Sequence, residues 1–230
     1  MAGTVIVTGG TGGLGVAVTG AFLDAGWRVV VPWVVEAEVE RVEARPRLHV
    51  MRADLFELES VRRVVERAGE DGEAPLRAVV NLVGGYSEPG KVHEASIDDF
   101  EAQLRLNLRP TYLMCHAAIP GLLANGGGAI VCAGSRAAER PFAGVSGYVT
   151  AKAGVVGFVR ALDVEYRQEG IRANAVMPSI IDTPANRAAQ PTADYSKWVQ
   201  PEEIARVILF LCSEESSAIS GAAVPVYGRA

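Results

Sequence analysis

Thr4-Val5-Ile6-Val7-Thr8-Gly9-Gly10-Thr11-Gly12-Gly13-Leu14-Gly15 decides how the rest of the chain is read. Its first part is a short apolar, β-branched run, the composition of a strand buried on both faces. Five of the eight residues 8–15 are glycine. Lacking Cβ atoms, they let backbone amides approach a phosphate closely. A helix predicted over 14–25 would aim its N-terminal dipole and free N–H groups at the same point. The spacing is T-G-x-x-x-G-x-G, not G-x-G-x-x-G. A tight, closely packed turn is the alternative reading of the loop on its own.

Moving outward, strand-like runs recur at 28–33, 48–52, 76–82, 129–133, 171–176 and 223–226. Between them lie helical stretches: an acidic one at 36–44, others at 58–69 and 147–169, and one opened by Pro201-Glu202-Glu203. Ser96 precedes Asp98 and Asp99 as an N-cap for a long helix to about 123, interrupted near Pro110. Strands alternating with helices predict an α/β fold: one doubly wound parallel sheet, helices on both faces, a single domain over 1–230. Such sheets bind ligands beyond the carboxyl ends of their strands. The one long irregular stretch, 179–200, is expected to be a substrate lid.

Bulk properties narrow the function. The 230 residues are 49% hydrophobic with a net charge of −5. Mean hydropathy is +0.18 and the pI near 5.3. No basic run or basic–aromatic stripe suggests nucleic acid. No apolar run approaches the roughly 20 residues of a membrane span. No basic segment precedes Thr4, so a secretory signal is not expected and a cytoplasmic location is. Cys115, Cys132 and Cys212, like His49, His93 and His116, show no metal-ligand spacing, so no metal site is expected.

Polar residues punctuate the strand ends. Asp54 follows the third strand, Asn81 ends the fourth, and Pro178 ends the sixth. Singly, each is equally a turn or cap residue. Tyr148 and Lys152 stand at i and i+4 and so share a helix face. With six tyrosines and three lysines, chance supplies about 0.08 such pairs. An ammonium beside a phenol favours the phenolate and improves its match to proton transfer near neutrality; a surface aromatic–cation pair is the alternative. Ser135, after the fifth strand, can hydrogen-bond a substrate oxygen or simply shape a turn. As a nucleophile it would need a base, and no histidine lies near it in sequence. Asn107, read as mid-helix between two leucines, fits a solvated position, a bound water or a kink.

In order and spacing these residues resemble the short-chain dehydrogenase/reductase family over essentially the whole chain. The matching elements are loop 8–15, Asp54, the turn 81–84, Asn107, Ser135, Tyr148-x-x-x-Lys152 and segment 178–183. The resemblance implies a Rossmann-like fold and an NAD(P)(H)-dependent oxidoreductase interconverting a carbonyl and a secondary alcohol. It implies that Tyr148 is the acid/base and that Lys152 lowers its pKa and holds the nicotinamide ribose. Ser135 would orient the carbonyl, and Asn107 would hold a water leading to solvent. For the cofactor it implies Gly9, Thr11, Gly12, Gly13 and Leu14 at the phosphates and Asp54 with Leu55 at the adenine. Asn81, Val83 and Gly84 would support it from the next strand, and Pro178, Ile181 and Thr183 would lie at the nicotinamide. A homotetramer or homodimer, through 96–123, 147–169 and the last strand, is also implied.

Two departures matter. Ser179 stands where the family usually has glycine. The second strand ends Pro32-Trp33-Val34-Val35, without the acid that binds a ribose 2′-hydroxyl or an arginine for a 2′-phosphate. Trp33 is expected to stack on the adenine or cover the ribose. Glu36, Glu38 and Glu40 would repel a 2′-phosphate, so NAD(H) is expected over NADP(H). Stretch 182–198, with Gly84-Gly85-Tyr86, also resembles dihydropteridine reductases, but that branch typically lacks the Ser135 and Asn107 equivalents. Quinonoid dihydropteridine reduction is the runner-up. A catalytically silent nucleotide-binding protein is a third reading, and the intact Asn107, Ser135, Tyr148 and Lys152 set argues against it. Tyr86, Phe142, Tyr195 and Trp198 are candidates for an aromatic pocket.

Overall fold

All five side chains of β1 (Thr4–Thr8) are buried, as a strand covered on both faces demands. The computed structural model describes residues 3–229. β1 lies between β2 and β4 inside a seven-stranded sheet ordered β3-β2-β1-β4-β5-β6-β7. The other strands are β2 (Arg28–Trp33), β3 (Leu48–Arg52), β4 (Leu76–Asn81), β5 (Gly128–Ala133), β6 (Ile171–Pro178) and β7 (Ala223–Val226). Every neighbouring pair is parallel. The chain runs outward from β1 to β3, then returns to place β4 on the other side of β1. That reversal opens a crevice at the carboxyl ends of β1 and β4.

Two apolar layers cover the sheet. On one face α3 (Leu58–Gly69), α5 (Arg109–Ala124) and α6 (Ser146–Tyr166) enclose a core that includes Ile6, Leu76, Met114, Leu122 and Ile130. On the other, α1 (Gly13–Asp24) and α8 (Pro201–Cys212) pack over Val5, Phe22, Val29, Val131 and Ile208. Successive strand residues feed opposite layers: Ile6 joins the first core, and Val5 and Val7 the second. Each fully buried aliphatic side chain contributes about 1.5–3 kcal/mol relative to exposure, so the Val/Ile-rich strands dominate the stabilisation. Cys115, Cys132 and Cys212 are free thiols in these layers. Among the described residues no helix is long and apolar enough to cross a membrane, and no cluster of three or more His, Cys, Asp or Glu could hold a metal.

Four elements depart from the sequence expectation. The acidic helix is only α2 (Glu36–Val39) and buries no residue; with no apolar face to dock, nothing extends it to 44. The interruption expected near Pro110 falls at Leu108, between α4 (Ile97–Asn107) and α5. Asn107 is therefore the last residue of α4, not a mid-helix one. Pro110, which lacks an N–H, sits in the first turn of α5, where none is needed. Strand β6 runs on to Pro178 rather than stopping at 176. The stretch 179–200 is not irregular throughout: α7 (Pro184–Ala189) starts at Thr183, whose hydroxyl accepts from the Asn186 N–H, with Pro184 in its first turn. Thr-Pro at a helix start was a readable signal. The two ends of this stretch are tied by an Ile181–Val199 bridge. Asp182 strengthens the tie, accepting from Arg187 at 2.5 Å and from Gln200 at 2.9 Å.

Candidate active site

The glycine loop lies between β1 and α1, in the crevice the sheet opens. A Cβ on Gly15 would run into the Gly9 carbonyl and the Gly10 backbone. Gly9 holds φ +68°, a left-handed conformation that favours glycine. The loop therefore folds back on itself and presents main chain instead of side chain. Gly12 caps α1 without a side-chain bond, and no acid lies in the first helical turn. That leaves N–H groups and the helix dipole facing outward, which suits an anionic phosphate.

Beside the loop is a cleft of about 380 Å³. Gly9, Thr11, Gly12, Gly13 and Leu14 form one wall. Trp33, Asp54 and Leu55 lie along another, and Val83 and Gly84 close it from β4. Asp54 also accepts from the Phe56 N–H at 2.9 Å, so it is both a turn residue and a cleft residue. Glu38, from the short α2, enters this wall as well. Its carboxylate accepts from the Thr11 hydroxyl at 3.2 Å and pairs with Arg41 at 3.2 Å. This acid reaches the cleft from a different element than the end of β2.

Two expected cofactor residues are placed differently. Asn81 is 2% exposed. Its amide turns away from the cleft, donating to Cys115 Sγ at 3.4 Å and Cys132 Sγ at 3.7 Å. It braces β4 against β5 and α5, while Leu82, Val83 and Gly84 do the lining. Thr183 spends its acceptor on capping α7 and packs its methyl against Gly13, joining the loop to the segment after β6. Its O–H remains able to donate.

A second cavity, about 360 Å³, adjoins the first and shares Leu14, Leu82 and Gly84 with it. Ser135, Tyr148 and Lys152 are on its wall, with Pro178 and Ile181 opposite. Ser135 follows β5, and its Oγ accepts from the Ala137 N–H, capping a short 3-10 turn. Burial pushes the Tyr148 hydroxyl above its usual value near 10, and the neighbouring Ser135 hydroxyl pulls it back. Lys152 donates to the Ala133 carbonyl at 2.9 Å. Burial lowers the Lys152 ammonium to about 8.

Asn107 is fully buried behind these residues. Its Oδ1 accepts from the Gly85 N–H, and its Nδ2 donates to the Gly85 carbonyl and to Gln103. It clamps the Gly84–Gly85 turn directly. A Cβ on Gly84 would lie 2.5 Å from Asn107 Oδ1 and 3.0 Å from Lys152 Nζ. The glycine leaves room for both side-chain ends beside the turn.

Of the four aromatic candidates, Tyr86 and Phe142 line the cavity. Tyr86 meets the Tyr148 ring edge-on at 5.4 Å. Burial, with the Glu88 hydrogen bond, pushes Tyr86 up to about 12, so it is a neutral wall. Tyr195 and Trp198 instead pack on each other at 4.7 Å. Sequence reading missed Arg136, Asn186 and Gln190 as lining residues. Arg136 carried one signal, its position directly after Ser135.

The parallel sheet, the phosphate-ready loop and the adjoining Ser135–Tyr148–Lys152 wall define a nucleotide-dependent oxidoreductase architecture. Comparisons agree. The family model described as "Enoyl-(Acyl carrier protein) reductase" matches residues 9–228. The chain is 31% identical to the 2-(R)-hydroxypropyl-CoM dehydrogenase of Xanthobacter autotrophicus, over 99% of this chain and 98% of that protein. It is 32% identical to the cyclohexanol dehydrogenase of an Acinetobacter species, over 97% and 92%. A solved short-chain type dehydrogenase/reductase from Mycobacterium ulcerans superposes with a TM-score of 0.90, covering 99% of this chain and 89% of that one; at 22% identity it speaks for the fold alone. The chain belongs to the short-chain dehydrogenase/reductase family, NAD(P)(H)-dependent oxidoreductases of small molecules. These relatives lend nothing to the resemblance to dihydropteridine reductases.

Proposed function

We propose that this enzyme interconverts a small ketone and a secondary alcohol, with Tyr148 as the proton-transfer group. The convergence of Ser135, Tyr148 and Lys152 on one wall of a 360 Å³ cavity beside the glycine-loop cleft carries this reading. The loop fits a dinucleotide, because its backbone is bare and the first turn of α1 carries no acid. When bound, the nicotinamide supplies or accepts the hydride at the reacting carbon. In reduction the Tyr148 hydroxyl gives its proton to the carbonyl oxygen; in oxidation it takes that proton back. Ser135 donates to the same oxygen and orients it. Lys152 holds the ribose hydroxyls and places its charge near Tyr148 once the cofactor is in place. Asn107, by fixing Gly85, holds the turn against which Lys152 packs.

NAD(H) is the preferred cofactor in this reading, because the Glu38 carboxylate occupies the cleft wall beside Thr11 and opposes a 2′-phosphate. Segment 179–200 is the substrate lid, hinged where Ile181 meets Val199. The exposed Ile97, Phe100 and Tyr112 on α4 and α5, with Val164 on α6, support self-association through those helices. A cytoplasmic enzyme fits the free thiols.

The deciding experiment is a panel of ketones and secondary alcohols assayed with NADH, NADPH and their oxidised forms, on wild type and Tyr148→Phe. Turnover that the variant loses, with cofactor binding retained by fluorescence titration, is the expected result. Equal loss of binding and turnover would remove Tyr148 from the proton-transfer role.

A further inference from the structure

The substrate cavity is lopsided in charge. Arg136 and Lys152 are the charged side chains on its wall, and no aspartate or glutamate lines it. The chain as a whole carries a net charge of −5, so this concentration of positive charge is local. Lys152 has an internal partner in the Ala133 carbonyl. Arg136 has none: among the described residues it forms no ion pair and donates no side-chain hydrogen bond.

Arg136 is nevertheless positioned. Its guanidinium carbon lies over the Tyr227 ring, 5.7 Å from the centroid. Stacking on an aromatic face supports the guanidinium plane without using its N–H fork. Glu139, at the end of the same 3-10 turn, is engaged by the Tyr227 hydroxyl at 2.9 Å. Tyr227 therefore holds the nearby acid and supports the cation, and the donors of Arg136 are left for the cavity. A half-buried cation facing a closed, acid-free wall is a poor arrangement unless an anion comes to it.

Register supplies the rest. Arg136 follows Ser135 directly, so their Cα atoms are about 3.8 Å apart. Both residues line the same cavity, so a substrate whose oxygen meets Ser135, as proposed above, has the Arg136 side chain on the same wall. The Gln190 carboxamide lines the cavity from the segment after α7 and adds a neutral polar group to it.

We propose that Arg136 is a substrate-binding residue and that the substrate is a small oxo acid or hydroxy acid, its carboxylate or sulfonate paired with the Arg136 guanidinium. This inference rests on the carbonyl/alcohol reading above and adds the substrate's charge. The size of the cavity, which the nicotinamide must share, restricts the molecule to a few carbons. A carboxylate takes the guanidinium fork in two parallel hydrogen bonds, which fixes the orientation of the chain and hence which face of the carbonyl meets the cofactor.

The test compares charged and uncharged forms of one carbon skeleton. The probes are 3-oxobutanoate and 4-oxopentanoate against their methyl esters, with 2-oxopropanesulfonate as the sulfonate arm, on wild type, Arg136→Ala and Arg136→Lys. The expected result is an acid-to-ester ratio of kcat/KM well above one in wild type. Arg136→Ala lowers this ratio about 10- to 100-fold, Arg136→Lys restores part of it, and added salt reduces it in wild type. A structural defect would depress acid and ester alike and leave the ratio where it was; that outcome overturns the proposal. Wild type that reduces the esters as well as the acids overturns it too, while leaving the carbonyl/alcohol reading in place. No turnover of any probe, when the ketone and alcohol panel also gives none, overturns both. Activity confined to uncharged ketones of that panel overturns this proposal alone.

Discussion

The Lys152 ammonium stands 5.9 Å from the centre of the Tyr148 ring, one helical turn away on α6, and bonds to the Ala133 carbonyl. The pair shares a helix face as its i, i+4 spacing requires, but the lysine is anchored to the end of β5. Burial disfavours its charge and brings it down to about 8. Between pH 8 and 10.5 the folded lysine has begun to release its proton while the unfolded one still holds it. The unfolded state binds more protons there, so stability rises with pH across that window. Below pH 8 both states are protonated and the burial penalty is felt in full. Burial pushes the Cys212 thiol up to about 12, which lowers stability above pH 9, so the lysine is read by difference. Urea unfolding of the cofactor-free protein at pH 7, 8, 9 and 10 should show wild type gaining on Lys152→Met as pH rises, by on the order of a few kcal/mol over the window.

Ser135 and Tyr148 should separate by kinetic signature. Tyr148→Phe is expected to lower kcat by at least about 10³-fold, since it removes the proton donor itself. Ser135→Ala removes one preorganised donor to the reacting oxygen and should cost on the order of 10²- to 10³-fold in kcat. Cofactor dissociation constants, measured by fluorescence quenching, should change little in either. A Ser135→Ala defect confined to KM would show that the hydroxyl binds substrate without favouring the transition state.

The proposed NAD(H) preference gives Glu38 the role of selector at the adenosine ribose. Glu38→Gln removes the charge that opposes a 2′-phosphate. It also releases Arg41, now paired with that carboxylate at 3.2 Å. Both effects favour NADP(H), and the NADPH-to-NADH ratio of kcat/KM should rise about tenfold or more. An unchanged ratio would return cofactor choice to Trp33 and the end of β2.

Two glycines of α1 should behave oppositely. At Gly15 a methyl group would enter the Gly9 carbonyl, which is backbone and cannot step aside. Gly15→Ala is expected to destabilise by about 1–3 kcal/mol and to weaken cofactor binding. A Cβ on Gly20 meets nothing within 4 Å, so Gly20→Ala should stabilise by up to about 1 kcal/mol through helix propensity. Thermal melts with and without cofactor measure both.

The strand–loop–helix at the N-terminus and the parallel sheet were legible because they are local or periodic. A β-branched run, a glycine cluster and an alternation of periods need no knowledge of distant residues. The Tyr148–Lys152 spacing was legible for the same reason, being a property of one helix. Length signals were weaker, since α2 stops early because it has no core to dock on, whereas the break at Leu108 was announced by Pro110.

What only the tertiary structure decided is where side chains with two options turn. Asn81 ends the expected strand, yet its amide faces two thiols inside rather than the cleft. Asn107 bonds to Gly85, which is 22 residues away. Glu38 comes to Thr11 across 27 residues, and Arg136 lies over the ring of Tyr227, 91 residues further along the chain. The physical reason is common to all four. A polar side chain's partner is set by what the fold brings within about 3–6 Å, and hydrophobic periodicity fixes only which way the strands and helices face. The sequence by itself determined a sheet, a glycine-rich loop after its first strand and a tyrosine–lysine pair on one helix face; folding determined the charge of the cavity that the pair lines.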